Sequence, residues 1–319
     1  MSHEHRSYIS LYRIALWCSV GAIILLVALA PALWPAGPAS ADVDQASVCQ
    51  FNRPSDVASD GVGNLYVSDT DNGRVVMISG GQARIVVGSL LKPWGLAVDR
   101  QRNLLYIAEH GRDRVLCVNL GNYAVSVCVS GILKQPTGLD VDTFGGLYIA
   151  DTGNNRILYR AATGRICPVS PDPQFTLNRP HAVAVSLTDL FIADTGNNRI
   201  IRRNPGCDAA PASILATGAF MLNQPSDLVI LTTGLYIADA CHRVLRIDLQ
   251  RITLPVAGGG VLGCQSGLAG DGGPAVLALL NDPKGLGSVM GSLLIADTGN
   301  NLVRQVDLLA GLISAVPCQ

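Results

Sequence analysis

Leu147-Tyr-Ile-Ala-Asp-Thr-Gly-Asn-Asn-Arg-Ile157 is the stretch on which the fold turns. Its apolar half returns as Leu65-Tyr-Val-Ser-Asp69, Leu105-Tyr-Ile-Ala-Glu109, Leu190-Phe-Ile-Ala-Asp194, Leu235-Tyr-Ile-Ala-Asp239 and Leu293-Leu-Ile-Ala-Asp297. One motif is therefore written six times, its acids spaced 40, 42, 43, 45 and 58 residues apart. Upstream of each copy stands a proline with a short apolar stretch, such as Pro93-Trp-Gly-Leu-Ala-Val or Pro180-His-Ala-Val-Ala-Val. Downstream follow a third stretch, such as Arg74-Val-Val-Met-Ile, and a fourth, such as Ala83-Arg-Ile-Val-Val. Gly, Asn and Asp punctuate them as turn signals. A unit of roughly 40 to 45 residues with four strands is one propeller blade. The prediction is an all-β, six-bladed propeller of four-stranded blades, one domain over residues 42–319.

Composition agrees. Aromatics are 5% against 34 Gly and 17 Pro, which suits many short strands and turns. Lys+Arg is 23 and Asp+Glu 24, a formal net charge of −1, with only 15% of residues charged. That balance excludes a nucleic-acid binder working by phosphate neutralisation. A hydrophobic content of 49% excludes a disordered chain.

The first 41 residues read differently. Arg6 and Arg13 precede an uncharged apolar run, Ile14 to Ala30, then a breaker-rich stretch and the small triplet Ala39-Ser40-Ala41. Basic, apolar, then A-x-A is the order of a secretory signal peptide cut after Ala41. The alternative is an uncleaved anchor over residues 14–34. Either way the expected location is extracytoplasmic, secreted or periplasmic. Setting Cys18 aside leaves eight cysteines, which in an exported domain read as four disulfides with 105 possible pairings.

Thr152-Gly-Asn-Asn-Arg156 and Thr195-Gly-Asn-Asn-Arg199, with the proline strand and the Leu-Tyr-Ile-Ala-Asp strand before them, resemble the NHL repeat. Its signature is P-x-G-[VIL]-A-[VIL]-D, then L-Y-[VI]-A-D-x-x-N-x-R-[IV]. The stretch Val256-Ala-Gly-Gly-Gly with Gly270-Asp-Gly-Gly-Pro274 is similar to the long inter-blade loop of bacterial-type NHL proteins. The resemblance covers about residues 51–317 and implies the six-bladed fold already read from the repeat. Three departures stand out: Glu109 for the motif Asp, Ala240-Cys-His242 for Thr-Gly-Asn-Asn, and Leu302 for the Arg. The motif acids Asp69, Asp151, Asp194, Asp239 and Asp297 need no function, because a carboxylate opening a tight turn accepts backbone N–H groups there.

Ring closure selects among the pairings. Cys49 and Cys318 flank the first and last strands, so closing the ring brings them together. Cys117 and Cys128 flank one turn, and Cys167–Cys207 and Cys241–Cys264 remain.

What varies between blades is the candidate site. The residue after each proline enters the inner strand at the channel mouth: Ser55, Trp94, Thr137, His181, Ser226 and Lys284. Such a ring is where a propeller reads a ligand, and Trp94 is the only Trp after residue 41. Enzyme readings fare less well. Peptide-amidating lyases of NHL type hold zinc with three Pro-His pairs, and here only Pro180-His181 matches. Lactonase-like propellers bind calcium through an axial Glu, whereas Glu109, the only Glu after residue 41, sits in a turn slot. Streptogramin lyases use a His near a metal, for which His110 or His242 are single candidates.

The expectation is an exported binding or scaffold module for a protein, glycan or small molecule. No motif calls for a cofactor or for nucleic acid, and a membrane enters only if the apolar run is retained. An enzyme is the lesser reading: a metal-assisted lyase or lactonase at the channel mouth with Asp56, His181 and Asp227 as ligands.

Overall fold

The Leu-Tyr-Ile-Ala-Asp copies form the second strands of six four-stranded antiparallel sheets, each ordered as its strands follow in the chain. The computed structural model describes residues 48–169, 175–207, 212–215, 222–248, 250–259 and 264–319. The chain divides into two units, Met1–Asp42 and Val43–Gln319. The expected signal segment over residues 1–41 lies outside the described residues. Among those described, no helix is long and apolar enough to cross a membrane.

Blade 1 comprises strands Pro54–Ser59, Asn64–Asp69, Arg74–Ser79 and Gln82–Val87. The inner strands of blades 2 to 6 are Pro93–Asp99, Pro136–Val141, Ala182–Val185, Asp227–Leu231 and Gly285–Val289. The architecture is the predicted six-bladed β-propeller.

Why the second strand is apolar throughout follows from its place. Strand residues alternate between faces, and both faces of a blade are covered by neighbours. Tyr106 and Ala108 of blade 2 pack on Leu147 and Ile149 of blade 3. Tyr148 and Ala150 of blade 3 pack in turn on Leu190 and Ile192 of blade 4. Tyr236 and Ala238 meet Leu293 and Ile295 across the joint between blades 5 and 6. Leu294 of blade 6 meets Leu65 and Val67 of blade 1, which closes the ring. The core is thus a set of inter-blade seams, and each fully buried Leu or Ile adds about 1.5–3 kcal/mol.

Four disulfides brace this ring: Cys49–Cys318, Cys117–Cys128, Cys167–Cys207 and Cys241–Cys264. The first spans 269 residues and joins the two ends of the propeller. Beside it, Gln319 N–H donates to Gly81 and Ala83 N–H to Gln319, so the last residues pair with the outer edge of blade 1. Disulfides of this number favour an oxidising, extracellular environment.

Candidate functional site

Each motif acid is fully buried and does the same work. Asp69, Glu109, Asp151, Asp194, Asp239 and Asp297 accept the N–H groups of Asn52, Leu91, Lys134, Asn178, Asn223 and Asn281. Arg74, Arg114, Arg156 and Arg199 then cover the acids of blades 1 to 4 at 2.6–2.7 Å. Blade 6 has Leu302 at that place, and Arg304 serves instead. It is wholly buried, lies 3.5 Å from Asp297 and also binds Asp271 at 2.7 Å. Leu302 and Arg304 are two apart and so share a strand face.

The joints between blades hold the mouth of the channel. The Thr70, Thr152, Thr195 and Thr298 hydroxyls donate to the carbonyls of Pro93, Pro180, Pro225 and Pro54 in the following blade. In blade 2 His110 takes that place, with its Nδ1 3.3 Å from the Pro136 carbonyl. In blade 5 Ala240 has no hydroxyl, and Ser226 donates to Pro283 at 3.0 Å instead.

A second lock runs beside the first. The residues before the six prolines, Arg53, Lys92, Gln135, Arg179, Gln224 and Asp282, all have φ between 46° and 52°. Five of their N–H groups are capped by the preceding blade: by Asn301, Asp113, Asn155 and Asn198, and by His242 Nδ1 at 2.9 Å. Blade 1 has Gly73 at the capping place, where a Cβ would meet the Leu90 carbonyl oxygen at 2.5 Å. The two histidines considered for lyase chemistry, His110 and His242, therefore serve the joints.

With the joints described, the row after the prolines separates by parity. Ser55, Thr137 and Ser226, on odd blades, are buried. They turn their hydroxyls to the backbone of the next blade: Ser55 to Pro93 and Trp94, Thr137 to His181, Ser226 to Pro283. Trp94, His181 and Lys284, on even blades, remain partly exposed. The Trp94 ring centroid lies 5.1 Å from His110 and 6.2 Å from His181, the latter edge-on. Gly138 on the intervening blade 3 permits this approach, since a Cβ there would meet the His181 carbonyl oxygen at 2.6 Å.

Burial holds His181 well below the usual imidazole value, near 4, and Lys284, Arg179 and His110 push the same way. At neutral pH it is an uncharged ring with one donor and one acceptor nitrogen. Burial lowers His110 too, against the bond to the Pro136 carbonyl. Lys284 pairs with Asp282 at 2.7 Å.

Deeper in the channel is a cavity of about 410 Å³, lined from Asp56, Leu96 and Asp227 to Asp99, Arg100 and Asp142. The row after the prolines lies outside its lining, one residue before Asp56 and Asp227 on the inner strands. Of the five carboxylates that line it, three stand on the inner strands of the odd blades: Asp56, Asp140 and Asp227. Asp56 accepts from Val57 and Leu96, Asp140 from Val141 and Val185, and Asp227 from Leu286. Each thereby binds the backbone of the next, even blade. Burial pushes Asp56 up to about 7 and Asp140 up to about 6, while Asp227 is raised by burial and by the charge of Asp56. Asp140 stands at no position that the repeat marks. The visible signal is an acid inside the otherwise apolar stretch Pro136-Thr-Gly-Leu-Asp-Val141.

The alternative metal trio does not converge. Asp56 and Asp227 line the cavity and His181 does not. Among the described residues no three His, Cys, Asp or Glu side chains are arranged to hold a metal ion.

No family model matches the chain, and no curated protein matches it. Solved structures do. An auxiliary nutrient-binding protein from Bacteroides thetaiotaomicron superposes with a TM-score of 0.67 at 16% identity, over 83% of this chain and 70% of that one. A gluconolactonase from Xanthomonas campestris gives 0.62 at 17%, over 82% and 95%. Virginiamycin B lyase from Staphylococcus aureus gives 0.57 at 13%, over 84% and 85%. The likeness at these identities is one of fold.

Proposed function

We propose that this chain is an extracytoplasmic binding module of the NHL-repeat type that takes up a protein segment, glycan or small molecule at the proline-side channel mouth. One observation carries the reading. Of six residues at one repeated place, three are consumed by the joints, and Trp94, His181 and Lys284 gather from alternate blades with no joint to serve. A half-buried Trp beside polar and charged groups is the usual anchor of a recognition site. The fold shared with a nutrient-binding protein supports binding as the role.

The same fold carries a gluconolactonase and a lyase, which keeps metal-assisted chemistry as the rival. It would need Asp56 and Asp227 to give up backbone hydrogen bonds and to reach a histidine outside the cavity's lining.

Calorimetric titration of the purified full chain with a defined panel of glycans, amino acids, short peptides and organic acids tests the reading. Binding of at least one compound that Trp94→Ala abolishes supports it. Binding indifferent to Trp94→Ala, His181→Ala and Lys284→Gln overturns it. Elemental analysis showing one zinc or calcium per chain, lost on Asp56→Asn, turns the case to the enzyme.

A further inference from the structure

Resting on that reading, we infer that the even-blade mouth recognises an acidic sugar, a pyranose unit carrying a carboxylate. Trp94 would meet its ring face, His181 its hydroxyls and Lys284 its charge.

Charge is the first reason. The groups acting electrostatically on His181 are Lys284, Arg179 and His110, with no carboxylate among them. The chain has three lysines, Lys92, Lys134 and Lys284, and all stand on this face beside Arg53, Arg112 and Arg179. Among the described residues, acids outside the motif near this mouth include Asp71, Asp113 and Asp282. Asp113 is engaged by the Gln135 N–H, Arg53 lies 3.8 Å from Asp71 and 3.7 Å from Asp282, and Lys284 lies 2.7 Å from Asp282. A ligand carboxylate would compete with Asp282 for Lys284. The mouth therefore carries an excess of cations, which favours an anion.

Shape and polarity narrow the anion. Trp94 is fixed between His110 and His181, so its indole is an oriented platform before any ligand arrives. A sugar ring presents an apolar C–H face to such a platform. His181 is held neutral by its surroundings, and its ring nitrogens make no hydrogen bond among the described residues. A neutral imidazole offers one donor and one acceptor, which matches a hydroxyl that is both. Lys284 then supplies a charge-assisted bond to a carboxylate. A bare phosphate would use the cations and leave the platform empty.

The experiment titrates the full chain with tri-galacturonate, galactotriose, hexaglutamate and inorganic phosphate. It follows both heat and tryptophan emission, with Trp94→Phe giving the background of Trp17 and Trp34. The expected result is that tri-galacturonate binds at least tenfold more tightly than the other three and alters Trp94 emission. Lys284→Gln should weaken it about tenfold, and added salt should weaken it as well. Equal binding of galactotriose overturns the acidic part of the inference, and equal binding of hexaglutamate or phosphate overturns the sugar part. Silence from all four overturns the whole. The binding-module reading survives any of these if another compound of the wider panel depends on Trp94, and falls with them if none does.

Discussion

The Thr298 hydroxyl donates to the Pro54 carbonyl at 2.7 Å, although 244 residues separate them. Equivalent bonds join blades 1 and 2, 3 and 4, and 4 and 5. The closing joint is thus built like the internal ones, with Cys49–Cys318 added beside it.

Cutting that disulfide should be costly. By chain entropy, a link spanning 269 residues is worth roughly 5 kcal/mol. Cys318→Ser should lower the urea midpoint accordingly, with Thr298→Val costing a further 1–3 kcal/mol, about the cost of an unsatisfied buried carbonyl. An unchanged midpoint for Cys318→Ser would show that the apolar seam alone closes the ring.

Residues of the mouth row should divide by blade parity. Thr137→Val strips a buried hydroxyl from Thr152 and the His181 carbonyl, so it should destabilise by about 1–3 kcal/mol. Trp94→Ala, at a partly exposed place, should stay within about 1 kcal/mol while removing ligand binding. Paired urea unfolding and calorimetry read both. The reverse order would mean that Trp94 belongs to the scaffold.

His242 performs the task that Asn155, Asn198 and Asn301 perform elsewhere. His242→Asn should therefore be neutral, since Asn suits the φ of 55° found there. His242→Ala should cost roughly 1–2 kcal/mol by orphaning the Asp282 N–H. Equal melting temperatures for the two variants would refute the substitution of one capping group by another.

Arg304 is a buried charge holding Asp297, Asp271 and the carbonyls of Leu279 and Ala269. Arg304→Met leaves Asp297 unpaired, for which about 3–5 kcal/mol is expected. It also frees the segment 264–281, so limited proteolysis should cut there first. A variant as resistant as the wild type would show that the local backbone bonds suffice.

Stability should fall as pH rises toward 8. Asp56 and Asp140 have native values near 7 and 6, and Asp227 is also raised, all above the 3.8 of the free side chain. Between 3.8 and those values the native state holds more protons, so stability present below 3.8 is lost as pH climbs through them. His181 works oppositely, its stabilising share being lost as pH falls from 6.5 through about 4. Above pH 6.5 that histidine is neutral in both states, so the carboxylates dominate. Melting temperature should drop between pH 6.5 and 8, and Asp56→Asn, which removes the group titrating near 7, should flatten the drop. A rise over that interval would contradict the buried acids.

How far these features were legible differs by length scale. The blades could be read because Leu-Tyr-Ile-Ala-Asp must fill two seams at once, and that demand returns in every copy with only small changes of side chain. The row after the prolines could be read as a row. Its division by parity could not, because it depends on which neighbouring carbonyl a hydroxyl reaches. Arg304 escaped because the repeat places its Arg five residues after the acid, whereas here it stands seven after. Asp140 escaped for a similar reason: it lies four residues past its proline, while Asp56 and Asp227 lie two past theirs.

The closing seam repeats the bonds of the internal ones. Thr298 and Pro54 meet as Thr152 and Pro180 do, and the Cα atoms of Cys49 and Cys318 lie 5.6 Å apart. A circular permutant with those ends fused by a short linker, and opened at the turn 161–165 of blade 3, should rebuild the same propeller. Blade order would then be a matter of synthesis, and the odd–even alternation at the mouth would survive the re-cutting unchanged.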